Sequence, residues 1–191
     1  MKKQQISKPR ADIYPLPATL VTCWDGEKIN VLTVAWTGVL CSSPPVIYIS
    51  IRPERYSYAL LEKAKRFCLN IPRRSQLPEV DYCGTVSGRT EEKVDRCGFT
   101  LVSLNPKFPP AIEQCPHHLL CEVIEVLPYG SHSAFVSNVS EEYIDEDCLN
   151  NDGSINYEAI HPIAYCRKKY YSVQEEIGIY GCAHKQIDNI T

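Results

Sequence analysis

Strand-length apolar runs, each closed by a proline, glycine or asparagine turn signal, recur along most of this chain and constrain its fold more than any other feature. Ala18 to Trp24 and Lys28 to Trp36 are β-rich runs separated by Asp25-Gly26-Glu27, a turn of hairpin length. Pro44-Pro45 then interrupts, and Val46 to Ile51 reads as a strand apolar enough to be buried on both faces. Phe67 to Ile71 is a short strand closed by Pro72, and Leu101 to Leu104 reads as another. His118 to Leu127 and Ser133 to Val139 flank Pro128-Tyr129-Gly130-Ser131 as a second hairpin. Asn105 to Pro116 is a proline-rich loop, Asn150 to Gly153 is a turn, and Ile163 to Ile179 follows neither period.

Two windows have helical spacing. Ser57 is placed to cap a helix running to about Arg66, with Leu60, Leu61 and Ala64 on one side and Glu62/Arg66 as an i,i+4 pair. Thr90 is placed to cap a second, with Glu91 and Glu92 in its first turn and Gly98 as its stop. Six or more strands and two short helices predict a mainly β chain, an antiparallel barrel or sandwich rather than a βαβ sheet.

At 191 residues and 44% apolar, the chain has the length and composition of one globular domain, 1–191. A net charge of −3 gives no bulk attraction to nucleic acid or anionic lipid, so any bound anion must be met by a local cluster. No apolar run approaches the ~20 residues of a membrane span. The basic opening MKKQQISKPR is not followed by a hydrophobic stretch, so the expectation is a cytoplasmic protein with residues 1–13 as an N-terminal extension. The ten cysteines, at 23, 41, 68, 83, 97, 115, 121, 148, 166 and 182, form no C-x-x-C pair. They read as free thiols, many of them buried as small hydrophobes in a reducing compartment. Cys115, His117 and His118 are the best metal-like cluster; without a second ligand pair they read as a solvated turn.

Four segments carry chemistry. Arg52 and Arg55, with Tyr56 and Ser57, precede a helix start; forked guanidinium donors, hydroxyls and the positive end of a helix suit a phosphate. Thr33-Val34-Ala35-Trp36 offers backbone polar groups and an aromatic cover to a flat heterocycle. Gly84 to Lys93 brackets Ser87 with glycines and suits a polar clamp. His132 stands at a hairpin as a candidate acid, base or donor, with a structural role the more usual outcome. The spacings of a P-loop, a dinucleotide fingerprint and a hydrolase elbow are all absent.

Pro15-x-Pro17-x-Thr19-Leu20-Val21-Thr22, Asn30-x-x-Thr33-x-Ala35-Trp36, Pro44-Pro45 with a strand into Arg52, Tyr56-Ser57, Phe67-x-x-Asn70, Ser87-Gly88-x(4)-Lys93, Pro109 with Ile112-Glu113, and Gly130-Ser131-His132 occur in that order. No single one is specific; together, from Tyr14 to Val139 with an echo at Tyr170-Tyr171, they resemble the flavin reductase-like domain family, and within it the flavoredoxins. The resemblance implies a Greek-key, antiparallel split β-barrel binding FMN at the interface of a homodimer. By family pattern, Thr33, Val34, Ala35 and Trp36 line the flavin ring. Ser50, Arg52, Tyr56 and Ser57 hold the phosphate, and Ser87, Gly88 and Lys93 close over the flavin from the other side. The implied function is an FMN-dependent oxidoreductase with NAD(P)H or a redox protein as partner; the alternative is a non-catalytic electron shuttle or flavin reservoir. A thiol or zinc protein is a third reading. Ser133, where many relatives carry aspartate, and Ser137-Asn138-Val139, where many read Gly-Glu-Val, depart in the stretch where a nicotinamide donor is expected. Val94 stands after Lys93, where an aromatic is common.

Overall fold

The computed structural model describes residues 1–182; residues 183–191, the end of the predicted 1–191 domain, lie outside the described residues. The chain begins its structure with β1 (Leu16–Pro17), β2 (Thr19–Trp24) and β3 (Ile29–Val34). The β2–β3 turn forms because Gly26 takes φ +103°, which a side chain opposes, and Asp25 Oδ1 accepts the N–H groups of Glu27 and Lys28 at 3.1 and 2.9 Å. There follow β4 (Thr37–Ser42), β5 (Pro45–Ile51), α1 (Tyr56–Ala64), β6 (Arg66–Ile71), α2 (Leu77–Thr85) and the single turn α3 (Lys93–Arg96). Two short strands, β7 (Leu101–Val102) and β8 (Ala111–Ile112), precede the long hairpin of β9 (His117–Tyr129) and β10 (His132–Ile144). After a one-turn α4 (Tyr157–Ile160), β11 (Ile163–Cys166) and β12 (Lys169–Ser172) form a hairpin that pairs with β1. No helix among the described residues is long and apolar enough to cross a membrane.

Seven strands form one antiparallel sheet in the order β3-β2-β6-β9-β10-β5-β4. Its two edges, β3 and β4, are consecutive in the chain and separated only by Ala35 and Trp36. So short a link reaches on the order of 11 Å, so the sheet has to curl until its edges meet. No ladder joins β3 to β4 across the seam; the linking Trp36 continues the β4–β5 pairing, its carbonyl accepting the Ser50 N–H at 2.8 Å. The result is a split barrel. Its interior is filled by Val21, Leu32, Ile49, Phe67 and Phe135, with Leu60 and Leu61 of α1. Fully burying each such side chain contributes about 1.5–3 kcal/mol. Leu20 and Val31 face the other way and pack with Val80 of α2, Ile112 and Ile163 in a second cluster, so β2 is buried on both faces.

A buried polar node on β6 ties these layers together. Asn70 of β6 donates from Nδ2 to the carbonyls of Leu20 (3.0 Å) and Cys68 (3.3 Å). Its Oδ1 accepts from the Ile112 N–H and from His118 Nδ1, both at 2.9 Å.

Several expectations are corrected by these elements. Val46 to Ile51 is not buried on both faces: Ile47, Ile49 and Ile51 point inward, while Val46, Tyr48 and Ser50 are half-exposed because no second layer covers them. The β-rich run from Lys28 to Trp36 ends at Val34, and the chain turns into β4, an edge strand. Ser57 is no cap; it is buried in the first turn of α1 and accepts from Asn30 Nδ2 at 2.6 Å. Arg66 lies in β6 and pairs with Glu122 of β9 at 2.8 Å instead of with Glu62. Thr90 sits in a turn ahead of α3, and the larger helix α2 precedes it. Gly98 does end α3, at φ +63°. The ambiguous tail holds β11 and β12.

Candidate functional site

Two adjoining cavities, of about 520 and 500 Å³, open beside the seam and share Leu32, Arg52 and Arg55. The second is the more strongly charged. Arg52 follows β5 and Arg55 is the N-cap residue of α1, so both guanidinium groups stand at the positive end of that helix. Tyr56 and Ser57 form its first turn on the cavity wall. Opposite them, the turn after α2 brings Ser87 and Gly88 against Asn30 and Tyr56. A methyl built on Gly88 would run into the Asn30 side-chain oxygen and the Tyr56 ring, so only glycine allows this approach.

Lys93 lies at the base of the second cavity. It is 3% exposed, and its Nζ donates to the carbonyls of Val31 (3.0 Å) and Cys83 (2.8 Å), bridging β3 to α2. Burial lowers its pKa, and nearby Arg55 adds to that. An ammonium carries three N–H donors, so one remains beyond these two carbonyls. Among the described residues Arg52, Arg55 and Lys93 form no ion pair, although a carboxylate, Glu54, lines the same cavity. Arg89 Nη1 donates to the Glu54 carbonyl at 2.9 Å and closes the rim. Three cations without acid partners are a donor set matched to an anion of high charge.

The first cavity has a different character. Thr33, Val34, Ala35 and Trp36, where the chain passes from β3 to β4, form one wall, with Ser50 and Arg52 beside them. Thr33 is held by a short bond from Oγ1 to the Val80 carbonyl of α2 (2.5 Å). Trp36 is 42% exposed and stacks on His132, ring centroids 4.5 Å apart at 27°. Burial, and then the Arg52 cation, lower the His132 pKa. The far side is built by Asp81, Gly84 and Thr85 of α2 and by the β11–β12 hairpin, whose Tyr170 donates to Asp81 Oδ1 at 3.0 Å. Aromatic faces and strand backbone without unpaired acids suit a flat, largely neutral ring.

All eleven predicted site residues therefore meet, in two groups. Thr33, Val34, Ala35, Trp36 and Ser50 line the first cavity; Tyr56, Ser57, Ser87, Gly88 and Lys93 line the second; Arg52 lines both. Two placements differ from the expectation. Ser50 stands with the ring-sized wall and does not line the cationic cavity. Lys93 is buried beneath the second cavity instead of closing over it. Asp81, Tyr165 and Tyr170 were not singled out as lining residues. Their signal was weak: α2 contains Pro78 and Gly84, and Arg167 and Lys168 make the β11–β12 turn at positive φ without glycine. The metal-like cluster does not converge. Cys115, His117 and His118 are buried instead of lying in a solvated turn, and they engage Gln76, Glu142 and Asn70 respectively. Among the described residues no group of His, Cys, Asp and Glu is placed to hold a metal.

Comparison with known proteins places this geometry. Residues 11–174 match the family described as flavin reductase like domain. Flavoredoxin of Desulfovibrio vulgaris (Miyazaki F) is 27% identical and superimposes with a TM-score of 0.87, over 95% of this chain and 99% of that one. An FMN-binding protein from Thermus thermophilus, solved with bound 1-cyclohex-2-enone, is 25% identical with a TM-score of 0.79, over 94% of this chain and 99% of that one. An uncharacterised protein of Archaeoglobus fulgidus is 29% identical over 148 residues, 78% of this chain and 83% of its own length.

Proposed function

The chain belongs to the flavin reductase-like domain family, and on that premise we propose that it is an FMN-dependent oxidoreductase of the flavoredoxin kind. The observation that carries the reading is the juxtaposition of Arg52, Arg55 and buried Lys93, free of ion pairs among the described residues, with an aromatic-walled cavity sharing Leu32. FMN has those two parts, a phosphate dianion and a flat ring, on one flexible link. We keep the reading of 1–191 as one such domain, with 1–13 as its N-terminal extension.

In this reading Arg52, Tyr56 and Ser57 hold the phosphate at the start of α1, with Ser87 and Gly88 closing from the opposite turn. Lys93 supplies positive potential from below, where low dielectric strengthens it. Thr33, Val34, Ala35, Trp36 and Ser50 seat the ring. Bound FMN supplies the redox chemistry, taking a hydride or single electrons, while the protein orients the ring and tunes its potential. No side-chain base is required. His132, its pKa lowered by burial and then by Arg52, stacks on Trp36 and lines the first cavity.

The electron partner is NAD(P)H or a redox protein, and the compartment is the cytoplasm. We extend the reading to a homodimer: the β4 edge exposes Val39 (75%) and Leu40 (56%), apolar surface that a second copy would cover. Light scattering at micromolar protein should give twice the chain mass; a monomer removes this extension.

Purified protein should be yellow, or should quench added FMN fluorescence at one site per chain, with riboflavin binding much more weakly because it lacks the phosphate. Equal affinity for FMN and riboflavin would sink the assignment of Arg52 and Arg55. Anaerobic mixing with NADH or NADPH then decides between turnover and a flavin shuttle: rapid bleaching of the bound flavin marks a reductase, and an unchanged spectrum marks the shuttle or reservoir.

A further inference from the structure

Spacing alone gives the ten cysteines no partner, but the fold brings two of them together. Cys83 on α2 and Cys97 just after α3 stand with sulfurs 3.8 Å apart, the only thiol–thiol contact within hydrogen-bond distance among the described residues. Their backbones are fixed through one residue. Lys93 Nζ donates to the Cys83 carbonyl at 2.8 Å, and the Cys97 N–H donates to the Lys93 carbonyl at 3.0 Å. Cys83 is fully buried and Cys97 is half-buried, so only one of the two meets solvent. The intervening segment, 84–96, carries Gly84, Ser87, Gly88 and Lys93, which line the two cavities.

The geometry points to Cys83 and Cys97 as a dithiol that closes to an intramolecular disulfide, with a low-molecular-weight disulfide as the co-reactant. Cys97 loses its proton to water and attacks one sulfur of the small disulfide. A Cys97 mixed disulfide forms and one small thiolate leaves. The Cys83 sulfur then attacks the Cys97 sulfur; the Cys83–Cys97 bond forms, and the second small thiolate leaves with the Cys83 proton as a thiol. Two electrons pass from the protein to the small disulfide, which ends as two thiols, and the chain loses two hydrogens. Burial raises the pKa of both thiols, so the reaction quickens as pH rises towards 9. The bond closes 84–96 into a covalent loop, which restricts the segment that carries Ser87, Gly88 and Lys93.

The test is to incubate the full chain with hydroxyethyl disulfide at pH 8.5, alkylate under denaturing conditions, and map peptides by mass spectrometry. The expected result is a Cys83–Cys97 linked pair, two mass units below the reduced sum and reversed by dithiothreitol. In Cys83→Ser the adduct should stop at the Cys97 mixed disulfide. Cys97→Ser, altering the more exposed partner, should leave Cys83 unmodified and still alkylatable after unfolding. A wild-type chain that keeps a stable Cys97 mixed disulfide, or links Cys97 elsewhere, overturns the proposal. So does a chain in which both thiols stay free. The inference stands apart from the flavin reading: a colourless protein that forms the link removes only the flavin assignment, and a yellow one that does not removes only the dithiol.

Discussion

Asn70 and Lys93 are both buried polar side chains that tie a strand to the layer covering it, and they satisfy burial in opposite ways. Asn70 spends all its hydrogen-bonding capacity inside the protein, two donors on Leu20 and Cys68 and its oxygen on Ile112 and His118. Lys93 meets two carbonyls, keeps a third donor, and carries a charge with no acid partner among the described residues. A closed network in a low dielectric is complete without a ligand, whereas an open, charged one is stabilised by what binds. The same fold thus holds one node that is complete within the protein and, on the function proposed above, one that serves an anion.

The largest effect should come from breaking the closed node. Asn70→Ala leaves the Ile112 N–H and the Leu20 carbonyl unpaired in the core, a loss of about 4 kcal/mol in urea unfolding. A loss under about 1 kcal/mol would show that the node is not closed. Next is its histidine. His118 has its pKa lowered to about 4 by burial, against 6.5 in the unfolded chain, so the native state resists the proton and the unfolded state takes it. Its contribution is intact above pH 6.5 and falls away as pH drops from about 6.5 to about 4. The fall is about 3 kcal/mol and levels off below that range. Urea midpoints across this window should show the slope, and His118→Gln should flatten it.

The open network should respond in binding instead. Arg52→Ala should weaken FMN by about 1.5–3 kcal/mol in a fluorescence titration, with an unchanged urea midpoint, since Arg52 forms no ion pair among the described residues. Unchanged FMN affinity would remove it from the phosphate site. The smallest effect joins the two kinds of readout. Gly88→Ala forces the Asn30–Ser57 contact apart and should cost about 1–2 kcal/mol in both stability and FMN affinity. A loss in stability alone would place the Ser87–Gly88 turn outside the ligand site.

How much of this was legible in the sequence follows from how local each signal was. Both main hairpins were readable because their turns advertise themselves, through Asp25-Gly26 and through Gly130 at φ +66°. The arginines at the start of α1 were readable for the same reason, lying within a few residues of each other. The strand β4 was not. Its bulge at Leu40 breaks the two-residue period, and its exposed Val39 and Leu40 sit where an edge strand is usually polar. Helix α2 was hidden by Pro78 and Gly84, residues that signal a loop when no packing partner is known. Lys93 read as a residue of the cavity rim, because nothing local says that Val31, 62 positions away, will accept its proton. The meeting of Cys83 with Cys97 was invisible for a related reason: the turns of 84–98, not the spacing, bring the sulfurs together.

Ala35 and Trp36 are both the link that closes the sheet and a wall of the first cavity. No partly folded form can therefore possess that cavity. A chain whose β4–β5 hairpin has formed but has not met β3 contains every lining residue and no place for a ligand. Competence to bind arrives in one step, with the closing of the seam. A substitution that only loosens the seam would read in a binding assay as a missing site, although none of the residues that make the site had changed.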